Sequence, residues 1–306
     1  MMKCQNYMPK FFCMVGLPAS GKSTYANELA QQYNAEIFSS DKLREEMFGD
    51  INDQEHNAEV FQEMHKRIKN CLESGNSAVM DSTNISSKRR RAFVQELNNI
   101  KCEKHCVIMA TPYEQCLENN KNRDRLVPSD VIDNMYRRWN TPAYFEGWDN
   151  IQVKYWDDSE NSEHILISVY CHINDNQNNP HHTMTLGSHC LAAGNSFEND
   201  TLLNFAGLLH DIGKPYVKSF TNSKGETTEI AHYYGHENIA AYEALFFDYY
   251  GNANALDVSL LVNLHMQPYH WERDNNIKLR DKYKKLWGEE LFDLVMKLHE
   301  ADKAAH

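Results

Sequence analysis

Residues Gly16-Leu17-Pro18-Ala19-Ser20-Gly21-Lys22-Ser23-Thr24 satisfy the G-x-x-x-x-G-K-[ST] pattern, between an apolar run, Phe11–Val15, and an amphipathic stretch, Lys22–Tyr33. A strand before the loop and a helix after it is the context in which that pattern holds nucleoside triphosphate. Glycines let backbone N–H groups close around phosphate oxygens, and the helix N-terminus adds its positive end. Lys22 offsets β/γ charge, and the Ser23 hydroxyl can ligate Mg²⁺. Gly16, Ser20, Gly21, Lys22, Ser23 and Thr24 are therefore the expected cradle for ATP, or another NTP, with Mg²⁺. A second concentration of reactive side chains lies downstream, because 12 of the 15 histidines fall in residues 151–306 beside many carboxylates. Imidazole with carboxylate is a ligand set for divalent transition metals. His210 and Asp211 adjoin at the end of an apolar helical stretch, followed by Gly213, which would end it. Neighbours on a helix point about 100° apart, so both reach one ion only from a terminal turn.

The elements that must position these residues differ between the halves. In the first, Phe11–Val15, Ala35–Phe38, Ser77–Met80, His105–Ala110 and Ile151–Tyr155 read as strands. Between them Lys22–Tyr33, Asp41–Phe48, Val60–Glu73, Lys88–Asn98, Tyr113–Asn120 and Asp130–Trp139 read as helices, the alternation of a parallel α/β sheet. Polar stretches at 157–163 and 174–180 mark the boundary. Beyond it Thr201–Leu209, Glu237–Phe247, Leu256–Leu264 and Leu291–His299 carry helical periodicity, with a hairpin turn expected at Ser223-Lys224-Gly225. Two domains are expected, residues 1–160 and 165–306.

The first domain resembles the 5′-hydroxyl polynucleotide kinases, including the kinase half of end-healing polynucleotide kinase/phosphatases. The resemblance covers roughly residues 10–155. It rests on the phosphate loop and on Ser39-Ser40-Asp41-Lys42-Leu43-Arg44, Met80-Asp81-Ser82-Thr83-Asn84 and Asn119-Asn120-Lys121-Asn122-Arg123 with Val127-Pro128. It implies that Asp41 is general base for the acceptor hydroxyl and that Arg44 sits by the acceptor phosphate. Asp81 would orient the acceptor or a metal-bound water, and Arg123 would be the lid arginine that stabilises transition-state charge. A carboxylate at a strand's C-terminal end suits the base role, although Asp41 is also placed to cap a helix. Asn119 stands where that family commonly has a further arginine, a place for which Arg125 could compensate. Lys88-Arg89-Arg90-Arg91 reads either as a nucleic-acid contact or as a solvated helix face.

The second domain resembles the HD phosphohydrolase superfamily in Leu208-Leu209-His210-Asp211-Ile212-Gly213-Lys214, in Gly235-His236-Glu237 and in Glu300-Ala301-Asp302-Lys303. By that resemblance His189, His210, Asp211 and Asp302 form a primary metal site, with His182 the rival of His189. His236 and His265 hold a second ion or the substrate phosphate. One or two ions among Mn²⁺, Fe²⁺, Co²⁺, Ni²⁺ and Zn²⁺ fit that donor set. Lys214 either binds substrate phosphate or caps a helix.

The fold expectation is thus an α/β P-loop kinase domain, a parallel sheet with flanking helices, joined to an all-α HD domain. The expected function is healing of nucleic-acid ends: a 5′-OH kinase with a metal-dependent 2′,3′-phosphatase, RNA or DNA ends as substrate and an RNA ligase acting downstream. A nucleoside or small-molecule kinase fused to a nucleotidase, and a nucleotide-sensing module, are the rivals. The formal charge of −12 is uneven, with 19 Lys/Arg against 21 Asp/Glu in residues 1–150 and 12 against 22 thereafter. Such acidity argues against broad nonspecific duplex binding. No apolar run approaches the roughly 18 residues of a membrane span, and the eight cysteines contain no CxxC pair. A soluble, cytoplasmic protein with reduced thiols is expected.

Overall fold

Five short runs rich in apolar residues pair side by side in the computed structural model, which describes residues 8–123, 125–156, 165–180 and 183–305. They are β1 (Lys10–Val15), β2 (Ala35–Ser39), β3 (Ser77–Asp81), β4 (Glu103–Ala110) and β5 (Asn150–Tyr155). The sheet order is β2-β3-β1-β4-β5 and every pairing is parallel. The helices of this region are α1 (Lys22–Tyr33), α2 (Ser40–Phe48), α3 (Asn57–Glu73), α4 (Ser87–Glu96), α5 (Tyr113–Lys121) and α6 (Ser129–Tyr136). Helices on both faces explain why β1, β3 and the end of β4 are buried almost without alternation. Phe12, Met14, Val79, Val107 and Met109 meet Ala26 and Leu29 of α1 on one side. Phe11 packs edge-on against Phe93 and stacks with Trp148.

The order brings functional loops together. Neighbours β3 and β1 lead in opposite directions along the sheet, so the loops after them open the crevice in which α/β sheets bind ligands. Ser39 pairs with Asp81 in register, which sets Asp41 just past the strand end beside the Asp81 block.

Beneath that crevice, Arg90 grips Glu146 through two bonds of 2.7 and 2.8 Å, both side chains being almost wholly buried. Trp148 Nε1 donates to the same carboxylate at 2.8 Å, and Arg90 Nη1 donates to the Asn84 carbonyl at 2.8 Å. The basic run 88–91 therefore sends its third residue inward, and Arg90 is no nucleic-acid contact. Removing one partner of such a pair strands a buried charge. Glu146→Ala should lower unfolding free energy by about 3–5 kcal/mol in urea titrations, whereas a loss under 1 kcal/mol would show that the pair contributes little.

Two compact units share the chain, residues 1–132 with 142–158 and residues 133–141 with 159–306. The second is built from α7 (Ile165–Cys171), α8 (Leu186–Asn195), α9 (Thr201–Leu209), α10 (Lys214–Val217), α11 (His236–Glu243), α12 (Ala255–Leu264), α13 (Gln267–Arg273), α14 (Ile277–Trp287) and α15 (Glu289–Ala304). A hairpin of β6 (Ser219–Thr221) and β7 (Thr227–His232) turns at Gly225, φ +82°, as its sequence predicts. Helices α8 and α9 approach closely because both carry glycine at the crossing: a Cβ on Gly207 would lie 2.8 Å from Gly194 N. Trp139 and Tyr136 enter the same core, edge-on to Tyr242. Among the described residues no helix is long and apolar enough to cross a membrane.

Candidate active sites in the two units

The loop after β1 closes as phosphate binding requires. Gly21 takes φ +86° at the start of α1, where a side chain would be strained. Gly16 N donates to the Thr83 carbonyl at 3.1 Å, and Asn84 Nδ2 donates to the Met14 carbonyl at 2.8 Å, so the loops after β1 and β3 are tied together. Lys22 Nζ turns back onto the Leu17 carbonyl and lies 3.3 Å from Ser20 Oγ. Burial pushes the Lys22 ammonium down to about 8 against the opposing pull of Asp81. A polyphosphate would supply the missing counter-charge. Ser23 Oγ donates to Asp81 Oδ2 at 2.7 Å, which puts the hydroxyl and carboxylate that hold Mg²⁺ in nucleotide-binding loops side by side. Asp81 thus stands against the first turn of α1. Thr24 is exposed on the first turn of α1.

Asp41 faces two guanidinium groups. Arg44 Nη1 reaches Asp41 Oδ1 at 2.7 Å and Arg125 Nη1 reaches Oδ2 at 2.6 Å. Arg44 is held from behind by Asn57 Oδ1 at 2.6 Å, and its buried Nε has no partner among the described residues. Asp41 is not the cap of α2. Ser39 occupies the N-cap position and Asp41 lies inside the first turn. Arg123 is exposed, near enough to Lys22 to oppose its charge. Asn119 donates to the Ala19 carbonyl at 3.2 Å, bracing the phosphate loop. Arg125 thus meets the carboxylate of Asp41, while Arg123 lies by Lys22.

In the second unit four imidazoles and two carboxylates converge. His189 sits in α8, His210 and His265 cap the C-termini of α9 and α12, His236 opens α11, and Asp302 lies in α15. Each ring turns Nδ1 to a backbone carbonyl: His189 to Ala305 at 2.9 Å, and His210, His236 and His265 to Gly207, Tyr233 and Val262 at 2.7 Å. With Nδ1–H donated, Nε2 keeps its lone pair, the tautomer a metal ligand needs. These Nε2 atoms face one another, His189 to His210 at 3.0 Å and His236 to His265 at 3.3 Å. A metal cation, or a proton taken up on Nε2 in its place, would satisfy lone pairs aimed together at such distances. The negative ends of α9 and α12 favour one too.

Asp211 joins the pairs. Its Oδ2 lies 3.2 and 3.4 Å from Nε2 of His189 and His210, and its Oδ1 lies 3.0 and 3.9 Å from those of His236 and His265. Asp302 Oδ1 approaches His189 and His210 at 3.1 and 3.5 Å. Two groups able to hold an ion result, His189-His210-Asp211 and Asp211-His236-His265. The donor set fits divalent transition metals sharing a bridging carboxylate. Burial alone would raise the Asp211 carboxyl, but Lys214 and His210 hold it well below the usual range. Burial likewise opposes charge on His210, yet Asp211 and Asp302 carry it well above the usual imidazole value. Buried and ringed by other imidazoles, His265 is pushed down to about 3.

Two family models match the chain. The AAA domain covers residues 11–142 and the HD domain covers residues 181–305. The chain joins a P-loop kinase domain to an HD domain. L-seryl-tRNA(Sec) kinase from Methanococcus maripaludis is 23% identical over 170 residues, 54% of this chain and 66% of that protein. Protein kti12 from Schizosaccharomyces pombe is 30% identical over 150 residues, 44% of this chain and 53% of that one. The matches thus span about half to two thirds of those relatives. The structure of the Pnkp1/Rnl/Hen1 RNA repair complex is 19% identical at a TM-score of 0.40, covering 45% of this chain and 46% of that one.

The P-loop domain works on a nucleotide with Mg²⁺, and the HD domain is a divalent-metal domain. Within the latter, Gly213 has helical φ −77°, so it is not there to break the helix. A Cβ at Gly213 would lie 2.2 Å from the His236 carbonyl, and its absence lets α11 dock and deliver His236. Lys214 Nζ meets Asp211 Oδ2 at 2.6 Å and Gln177 Oε1 at 2.8 Å, which makes it part of the cluster's surround and not a helix cap. Tyr269 donates to Asp302 Oδ2 at 3.0 Å, an orienting contact that no motif announces. A cavity of about 230 Å³ beside Lys214 is lined by Gln177, Lys218 and Tyr233. His182 lies outside the described residues. Burial pushes the Cys13 and Cys190 thiols up to about 12, which keeps them out of nucleophilic chemistry.

Proposed function

We propose that this protein heals RNA ends, phosphorylating the 5′-hydroxyl in its P-loop domain and clearing phosphate from 2′,3′ ends in its HD domain, so that a ligase can join the product. The observation that carries the reading is the acceptor side of the first crevice. Asp41, a carboxylate able to take a hydroxyl proton, is bracketed by two arginines, and a small neutral acceptor would not need them. An acceptor hydroxyl that carries its own phosphodiester does. Its phosphate draws Arg44 and Arg125 away from Asp41 and frees a carboxylate oxygen. Asp41 then accepts the hydroxyl proton as the oxygen attacks the γ-phosphorus and ADP leaves, with Lys22 and Arg123 offsetting charge on the transferring group. The likeness to a kinase named for a seryl group borne on tRNA supports a substrate carried on RNA.

For the HD domain, bound divalent ions would supply Lewis acidity and lower the pKa of a water. The chain's own part is to hold the ligands through Nδ1 and Tyr269, and to offer Lys214 and Lys218, which line the cavity, for a phosphate. Water adds to the phosphorus of the cyclic ester and opens it to a monoester, whose hydrolysis then releases inorganic phosphate.

The test is an RNA with 5′-OH and 2′,3′-cyclic phosphate ends, incubated with the full chain, ATP, Mg²⁺ and Mn²⁺ or Ni²⁺. Both ends should be converted. Phosphate transferred to free nucleosides but never to the oligonucleotide would replace this reading by a small-molecule kinase.

A further inference from the structure

Trp156 follows β5 directly, and its backbone N–H is fixed by the Ala110 carbonyl at 3.0 Å, at the end of the neighbouring β4. Two carbons of its six-membered ring lie 3.2 and 3.4 Å from where a Cβ on Gly21 would stand. The indole therefore rests on the phosphate loop itself. It is also 48% exposed, while Trp139, Trp148, Trp271 and Trp287 are each no more than 7% exposed. Four of five tryptophans hide their large apolar surface, and the fifth leaves it in water beside a functional loop. Such a ring gains most from a flat partner that arrives with the ligand.

The phosphate loop supplies that partner. A nucleotide whose terminal phosphates lie on the amides around Gly21 carries its base one phosphate and one ribose away, a short tether. We propose that Trp156 stacks on the nucleobase of the nucleotide held by residues 16–24 and so sets the affinity for nucleotide over bare polyphosphate. Stacking reads a π-face and not a hydrogen-bond edge, so the contact tolerates any NTP. This inference rests on the loop binding a nucleotide.

The rival role for the ring is to hold the loop in shape by packing on Gly21, and the two roles separate by ligand. Mg·ADP and Mg·tripolyphosphate are titrated by calorimetry into the wild-type chain, Trp156→Leu and Trp156→Phe, with tryptophan emission followed in parallel. Since the other indoles are buried, ADP should quench the solvent-exposed emission of the wild type, and that signal should vanish in both variants. Trp156→Leu should weaken ADP on the order of tenfold with tripolyphosphate unchanged, and Trp156→Phe should retain most of the ADP affinity. Equal weakening of both ligands in Trp156→Leu would overturn the proposal in favour of the shape-holding role, and unchanged ADP affinity would overturn it outright. Failure of the wild type to bind either ligand would remove the nucleotide site, and this inference with it.

Discussion

Asp211→Ala is expected to empty the HD domain of bound metal and abolish its hydrolase activity, while 5′ phosphorylation proceeds at the wild-type rate. Asp211 alone belongs to both three-residue groups able to hold an ion, one oxygen turned to His189 and His210 and the other to His236 and His265. Its loss removes a ligand from each group at once and leaves four lone pairs without their anion. His210→Ala touches only the first group and should leave up to one ion behind. Metal chemistry of this kind stabilises transition-state charge by several kcal/mol, so hydrolysis should fall by at least on the order of 10³. Asp211→Asn keeps the volume and an acceptor for Lys214, and should lose metal while still folding. Elemental analysis of purified variants, coupled to 3′-end assays, makes the comparison. Stoichiometric metal retained in Asp211→Ala would show that Asp211 is no ligand. Metal lost from wild type and variants alike would remove the site.

The first unit was legible because each strand is a short apolar run and each helix a periodic one, with glycine or polar breaks between. Helix ends fall within about three residues of the pattern, as for Lys88–Asn98 against Ser87–Glu96 in α4. What the pattern could not show is where buried charge goes. Arg90 reads as surface in Lys88-Arg89-Arg90-Arg91, and only its meeting with Glu146, 56 residues on, makes burial affordable. Arg125 reads in sequence only as a stand-in for the lid arginine missing at Asn119, not as a partner of Asp41. Its role depends on the segment after α5 folding across to Asp41, 84 positions back, and no local spacing encodes that approach.

The second unit shows the same division. Its metal-binding residues announce themselves as His-Asp and Gly-His-Glu blocks, because cluster chemistry restricts residue type. Helices α13 and α14 escaped because Gln267–Arg273 is short and Ile277–Trp287 carries six charges. Tyr269, which orients Asp302, sits in the first of these. The grouping of 133–141 with this unit was also hidden, since Trp139 and Tyr136 look like the end of an amphipathic helix of the first half.

The kinase half makes its own demand on two residues. Lys22→Ala and Asp41→Ala should each reduce 5′ phosphorylation by on the order of 10²–10³ or more, and only Lys22→Ala should also weaken ATP binding. Lys22 lies in the phosphate loop, buried, with loop oxygens as its neighbours, so its charge serves the nucleotide in the ground state and the transition state alike. Asp41 holds its carboxylate on Arg44 and Arg125, whereas Asp81 accepts from Ser23 of the phosphate loop. Asp41 acts only when the acceptor hydroxyl gives up its proton. The measurements are nucleotide affinity by calorimetry and single-turnover transfer to a 5′-OH oligonucleotide. Because Asp41 does not cap α2, Asp41→Ala should cost little thermal stability, and Asp41→Asn, which keeps the size and one acceptor oxygen for an arginine but not the basic carboxylate, should be just as inactive. If Asp41→Asn turned over at the wild-type rate, the carboxylate would be no base, and Asp41 would serve only to hold the two arginines in place for the acceptor phosphate.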